Sequence, residues 1–312
     1  MKKATKYIVV KATKRNELVI ATLDSNKYFW LKKNNNMESV LSNVNADRAV
    51  FNGLGNIYPA DSSVEISTEQ IEGVTCYWFV PSSFDENKIV IYLHGGMFVL
   101  GSIETYRAMI SHFASAFSAK ILFVEYALAP EKPFPNGIND VLKVYRQIIR
   151  RYPDAKITLM GDSAGGALAA TLIKMASEEK LQMPSGVALL SPWVYLRGNN
   201  ESYETRKKLD SILTKDKLME YAGYYAANNW KEADPGQFTF NSFPPLFILV
   251  GSNEILFDDS KLFYEKIKLV QPDTQMKEYE NQVHGWPLID IRSDASKEAL
   301  TSLEKFITKT SS

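Results

Sequence analysis

Gly161-Asp162-Ser163-Ala164-Gly165-Gly166 lies between a short apolar run, 156–160, and a long helix-forming run, 166–179. Strand, Gly-x-Ser-x-Gly, helix is the pattern of a nucleophile elbow. A turn that swings a serine out over a strand end leaves no room for side chains on either flank, so glycines are needed two residues before it and two after. Gly161 and Gly165 meet that demand. The same turn sets Ser163 at the start of the following helix, where unpaired backbone N–H groups favour the negative charge that develops in acyl transfer. A pattern with three fixed positions also recurs by chance as an ordinary Gly-rich helix start. Its meaning depends on whether a base and an oxyanion hole lie where an elbow requires them.

Three histidines are available as a general base. His112 falls in 103–117, whose apolar residues Met109, Ile110, Phe113 and Phe117 have helical spacing, and it reads as a helix-face residue. His94 closes the apolar run 89–93 and is followed by two glycines, the character of a strand end. His284, in Val283-His284-Gly285-Trp286 after the strand-like segment Gln275–Tyr279, is the remaining candidate. Ser163 before His284 matches the α/β-hydrolase chain order of Ser, acid, His. The acid is then expected after the strand at 246–250, where it would accept a hydrogen bond from the imidazole and fix its tautomer. Glu254, Asp258 and Asp259 follow that strand. Glu254 is the first acid beyond the strand end and is preferred. Asp258 and Asp259 precede Ser260 and a helical run, a place where acids commonly serve a helix N-terminus. Asp258 stays open as the alternative.

The continuous β-branched run at 89–93 has the character of a strand buried on both faces, and it ends in His94-Gly95-Gly96-Met97-Phe98. Glycines there let the backbone approach a ligand. Two N–H groups from this loop, with Gly95, Gly96 and Met97 as candidates, and that of Ala164 are expected to point at one substrate oxygen.

With these segments the chain resembles the hormone-sensitive-lipase-like group of α/β-hydrolases, microbial carboxylesterases marked by a His-Gly-Gly-Gly loop and a Gly-Asp-Ser-Ala-Gly-Gly elbow. Tyr126-Ala127-Leu128-Ala129-Pro130-Glu131, with Phe134-Pro135 after it, is similar to that group's Tyr-Arg-Leu-Ala-Pro-Glu segment, and Leu190-Ser191-Pro192-Trp193 to its next strand end. Matching segments span 89–288. The resemblance implies Ser163 as nucleophile, His284 as base, oxyanion donors in the backbone of Gly96, Met97 and Ala164, and a structural His94 that orients the oxyanion loop. Asp162 reads as a turn-stabilising residue. Two departures stand out. The third loop glycine is Met97 here, which adds a side chain beside the acyl pocket. The group's Asp-Pro-Leu-x-Asp becomes Glu254-Ile255-Leu256-Phe257-Asp258, which places the acid position on a glutamate.

The 312 residues, 45% of them hydrophobic, suffice for one large core with a small cap. Thirty-six basic and 36 acidic side chains balance to a net charge of +0, and without a basic stripe no nucleic-acid partner is expected. The apolar run 7–10 is too short for a signal-peptide core, and no stretch is long enough to span a membrane. A single cysteine, Cys76, excludes an intramolecular disulfide and suggests no metal site. A cytoplasmic protein without stable membrane insertion, metal or organic cofactor is expected.

Strand-like runs at 74–80, 89–93, 121–126, 157–160, 187–190, 246–250 and 275–279 alternate in part with helical stretches. The expected fold class is α/β, an α/β-hydrolase fold with a mostly parallel central sheet wrapped by helices, an antiparallel edge and a small helical cap. One domain spans 1–312. Cap elements are expected at about 14–56 and 195–234, which lie outside the alternation. In the second, Tyr221 and Tyr225, with Phe98 from the oxyanion loop, would either line a closed apolar pocket or pack the insertion onto the core.

The expected activity is serine carboxylester hydrolysis of short- to medium-chain acyl esters through an acyl-enzyme. A small-molecule amidase or formamidase on the same residues is the alternative, and a non-catalytic ligand-binding protein on a hydrolase fold is the third reading. By analogy with the same group, pairing of two copies through the edge strand at 275–279 is the expected route to a homodimer.

Overall fold

The computed structural model describes residues 37–311 and, before them, the strands β1 (Tyr7–Lys11) and β2 (Leu18–Thr22), which pair antiparallel with Tyr7 opposite Thr22. Residues 14–17 and 23–36 of the first expected cap element lie outside the described residues. The helix α1 (Met37–Asn52) leads into β3 (Val64–Ile71), β4 (Val74–Pro81) and β5 (Lys88–Leu93). Beyond β5 strands and helices alternate: α2 (Ile103–Phe117), β6 (Lys120–Val124), α3 (Asn136–Arg151), β7 (Lys156–Asp162), α4 (Ala164–Glu178) and β8 (Gly186–Leu190). Three short helices follow without a strand, α5 (Ser202–Thr205), α6 (Lys215–Ala226) and α7 (Trp230–Ala233). The alternation then resumes with β9 (Leu246–Gly251), α8 (Phe257–Lys268), β10 (Gln275–Tyr279), α9 (Trp286–Ile289) and α10 (Asp294–Ser311).

The main sheet has eight strands in the order β10-β9-β8-β7-β5-β6-β4-β3. Pairing is parallel from β10 to β6 and antiparallel from there to β3. The antiparallel edge is therefore present, and it is one strand wider than the runs in the sequence suggest. β3 escapes them because Glu65, Ser67, Thr68, Glu69 and Gln70 interrupt its apolar residues, as suits an edge strand with one solvated face.

β5 lies between β6 and β7, and alternate side chains divide it between two cores. Ile89, Ile91 and Leu93 pack on the side of Leu168 and Leu172 from α4, while Val90 and Tyr92 pack with Phe113 from α2 and Leu303 from α10. A strand covered by helices on both faces has no polar side, which is why this run is uninterrupted. α2 starts where the Ser102 hydroxyl accepts from the Glu104 N–H at 3.2 Å.

The segments outside the alternation touch each other. The Tyr221 hydroxyl of α6 donates to Asp47 of α1, and Lys217 lies 2.8 Å from the same carboxylate. Arg48 of α1 makes a two-pronged contact with Glu131 at 2.6 and 2.8 Å and donates to the Val99 and Ala129 carbonyls. Among the described residues no helix is long and apolar enough to cross a membrane.

Candidate active site

The elbow forms because β7 ends directly on α4. Ser163 sits at the joint with φ 50° and ψ −119°, in a region that non-glycine residues enter at a cost of about 1–3 kcal/mol. Its surroundings hold it there. The Ser163 N–H donates to the Leu190 carbonyl at 2.9 Å, and its own carbonyl accepts from Gly166 at 3.0 Å and Trp193 at 2.9 Å. The Leu190-Ser191-Pro192-Trp193 segment thus braces the elbow. A Cβ on Gly165 would come within 1.9 Å of the Leu93 carbonyl oxygen, and one on Gly161 within 2.6 Å of the Gly165 backbone. The two glycines are steric requirements of β7 and α4 crossing close to the end of β5.

The oxyanion loop leaves β5 at His94 and runs through three consecutive residues with positive φ: Gly96 at 108°, Met97 at 58° and Phe98 at 62°. The Leu100 N–H closes the turn onto the Gly96 carbonyl at 2.7 Å. Gly95 leaves the set of oxyanion donors, because its N–H is already given to Asp162 Oδ1 at 2.8 Å. Among the described residues the N–H groups of Gly96, Met97 and Ala164 have no acceptor.

Asp162, half-buried, lies at the centre of this arrangement. It accepts from the Tyr92 and Tyr106 hydroxyls, both at 2.8 Å, as well as from Gly95. Burial raises its pKa, and the three donors oppose that rise. It ties the elbow to the oxyanion loop rather than merely stabilising its own turn. His94 is fully buried and stacks on Tyr126 at 4.3 Å, and its Nδ1 lies 2.7 Å from the Gly95 carbonyl. Facing a carbonyl, Nδ1 must carry the proton. Burial pushes the imidazole down to about 4, so it stays neutral at ordinary pH. The Tyr126 hydroxyl donates to the His94 carbonyl at 2.6 Å and fixes the same corner. His112 lies on α2 with Nε2 3.1 Å from the Pro59 carbonyl, remote from these contacts.

His284 precedes Gly285, whose φ of 68° turns the chain into α9. Its Nδ1 is 2.8 Å from Glu254 Oε2. The other oxygen, Glu254 Oε1, accepts from the Gly251 N–H and the Ser191 hydroxyl, both at 2.6 Å. A completely buried carboxylate with three donors has no free rotation. Facing it, Nδ1 bears the proton and Nε2 is left as the acceptor. Burial pushes the imidazole pKa down, but the bond to Glu254 and the charges of Glu254, Asp210 and Asp162 push it up further, and the net shift is upward.

Asp258 and Asp259 go elsewhere. Asp258 Oδ2 accepts from the Ser202 N–H at 2.7 Å. Asp259 is buried, takes the Tyr195 N–H at 3.0 Å and the Asn200 amide at 2.8 Å, and is pushed up to about 8 by burial. Both fasten the insertion 195–234 to α8.

Phe98, Tyr221 and Tyr225, the expected pocket residues, are used in packing. Phe98 and Tyr225 stack at 3.7 Å, Trp193 lies 5.6 Å from Phe98, and Tyr221 is bound to Asp47. The Phe98–Tyr225 stack holds the insertion on the oxyanion loop and Tyr221 holds it on α1, so the three serve packing rather than a substrate surface. Three contributors have no role assigned by the sequence alone. Ser191, Tyr92 and Tyr106 become meaningful only through partners 63, 70 and 56 residues away.

A serine on a strand-turn-helix at the end of a mostly parallel sheet, in a chain that also holds a buried His–carboxylate pair, has the arrangement of the serine-hydrolase class. Residues 90–288 match the family model of the alpha/beta hydrolase fold. An esterase of Acinetobacter venetianus is 30% identical over 269 residues, which cover 85% of this chain and 88% of that protein. An acetyl-hydrolase of Streptomyces hygroscopicus is 31% identical over 216 residues, 68% of this chain and 72% of that one. The crystal structure of an esterase from the bacterial hormone-sensitive lipase family superposes with a TM-score of 0.83 at 28% identity, covering 86% of this chain and 92% of that one. The chain belongs to the α/β-hydrolase family, in its hormone-sensitive-lipase-like branch.

Proposed function

We propose that Ser163, His284 and Glu254 are nucleophile, base and acid of the reaction, and that the N–H groups of Gly96, Met97 and Ala164 hold the oxyanion. The chain is a serine carboxylesterase. The observation that carries the residue assignment is the 2.8 Å contact between His284 Nδ1 and a Glu254 carboxylate that is itself held by two further donors. That contact commits the imidazole to the tautomer whose Nε2 takes the serine proton.

In the first half-reaction Ser163 Oγ attacks the ester carbonyl carbon as its proton passes to His284. The carbonyl oxygen gains negative charge against the waiting N–H groups. The C–O bond to the alcohol then breaks, and His284 returns the proton to the leaving oxygen. Water repeats the sequence on the acyl-enzyme, giving the free acid and restoring Ser163. Glu254 stabilises the imidazolium in both halves without taking its proton.

A short- to medium-chain acyl preference is proposed from Met97, which adds a thioether side chain where the group carries glycine, next to buried Phe98. Pairing of two copies through β10, the last strand at its edge of the sheet, is proposed as the oligomer. Light scattering over a concentration series tests it, and a constant monomer mass removes it. A cytoplasmic location is proposed from the use of a single, buried cysteine, and cell fractionation checks it.

The principal test is release of nitrophenol from acetyl and butyryl esters by the protein and by Ser163→Ala, with the matched anilide alongside. Ester turnover that disappears in the variant is expected. Equal turnover in the variant overturns the nucleophile assignment, and faster anilide cleavage replaces the esterase with an amidase. Across acyl chains from two to about twelve carbons, spanning what a pocket of ordinary volume admits, the rate is expected to fall toward the long end.

A further inference from the structure

The loop between α5 and α6, residues 206–214, grips the loop that carries Glu254. Asp210 is nearly buried, at 7% exposure, and divides its carboxylate between two tasks. Oδ1 accepts from the N–H groups of Ile212 and Leu213, each at 2.9 Å, and so fixes its own orientation. Oδ2 reaches 45 residues along the chain to the Ile255 N–H, also at 2.9 Å. The Ile255 carbonyl is taken from the same insertion, by the Ser202 hydroxyl at 2.6 Å. Arg206 donates to the Ser252 carbonyl and lays its guanidinium 3.6 Å over the Phe257 ring. Glu254 is therefore flanked on both sides by backbone that the insertion holds.

The need for this grip follows from the sequence. Glu254 is followed by Ile255, which carries an N–H at a residue only 1% exposed. A buried N–H requires an acceptor. Asp210 is that acceptor.

We propose that Asp210 is a positioning residue for the triad, fixing the backbone at Ile255 so that Glu254 meets His284. The inference rests on the triad assignment made above. The charges of carboxylates from three elements raise the His284 pKa: Glu254 after β9, Asp210 between α5 and α6 and Asp162 at the end of β7. Asp210 therefore also favours the imidazolium electrostatically.

Asp210→Asn separates this role from simple structural support. Ile212 and Leu213 hold the amide oxygen at the Oδ1 position, which turns the NH2 toward the Ile255 N–H, donor against donor. The expected result is a fall in kcat of about 10- to 100-fold, the scale of a misplaced catalytic group, with KM within about twofold, since no substrate contact is removed. The acid limb of the kcat/KM profile moves to lower pH, because loss of the negative charge lowers the imidazole pKa. Rates are expressed per active serine, counted by stoichiometric phosphonylation, so misfolded protein does not enter. In the Ile255→Pro background there is no N–H to satisfy, and D210N is expected to cost at least about fivefold less, a coupling measured by the double-mutant cycle. If I255P does not accumulate as folded protein, E254D/I255P provides the background.

An unchanged kcat in D210N, or an equal loss in the proline background, overturns the proposal. Substantial activity in Glu254→Gln points instead to failure of the triad assignment. An inactive E254Q beside a fully active D210N rejects the positioning role alone.

Discussion

Replacing Glu254 by glutamine keeps the shape of the side chain and exchanges one acceptor oxygen for an NH2 donor, so the structure permits the consequence to be worked through. At the Oε1 position two donors converge, the Gly251 N–H and the Ser191 hydroxyl, each at 2.6 Å. An NH2 placed there would face both, so the amide oxygen takes that site and the NH2 turns to His284 Nδ1, where a carboxylate oxygen now lies at 2.8 Å. Nδ1 must then accept instead of donate. The proton shifts to Nε2, the nitrogen that has to receive the serine hydrogen, and general-base catalysis stops. The same tautomer error in Ser-His-Asp enzymes costs about 10⁴ in kcat, equivalent to ~5.4 kcal/mol at ~1.36 kcal/mol per tenfold. For E254Q a loss of about 10³- to 10⁴-fold is expected in nitrophenyl butyrate hydrolysis, with KM little changed and the melting temperature within a few degrees. Asp258→Asn is the matched control. It weakens the bond to the Ser202 N–H, costing about 1 kcal/mol of stability, and leaves kcat within about threefold. E254Q activity within tenfold of the parent, or a D258N loss as large as that of E254Q, would refute the reasoning.

Gly165→Ala is expected to destabilise the fold by more than ~3 kcal/mol, since its Cβ would lie 1.9 Å from the Leu93 carbonyl oxygen and that oxygen belongs to backbone. Chemical denaturation checks this, and a variant of parental stability would contradict the close crossing of β5 and α4. Because His284 must be neutral to act and its pKa is raised overall, the acid limb of the kcat/KM profile is expected above the ~6.5 of a free imidazole. Activity is full above that limb and is lost as pH falls through it. A midpoint well below it would mean that burial outweighs the three carboxylates.

Features encoded over a few neighbouring residues were legible in the chain itself. The elbow is one, because the crossing of β7 and α4 excludes any Cβ at Gly161 and Gly165, and that steric demand is written as two glycines around a serine. β5 is another, since burial on both faces requires an uninterrupted apolar run. The His284 candidacy followed from chain order and from the unsuitable settings of His94 and His112. Tertiary structure decided what depends on partners far along the chain. Glu254 and Asp258 are both acids after the same strand, and only the folded loop turns one to His284 and the other to Ser202. Gly95 resembles an oxyanion donor until Asp162, 67 residues away, takes its N–H. Phe98 and Tyr225 resemble a pocket until they stack on each other. Asp210 carries no local signal at all, because its importance lies in a buried N–H 45 residues beyond it. Periodicity and steric exclusion act between neighbours, whereas the partner of a buried polar group is chosen by the order of strands in the sheet.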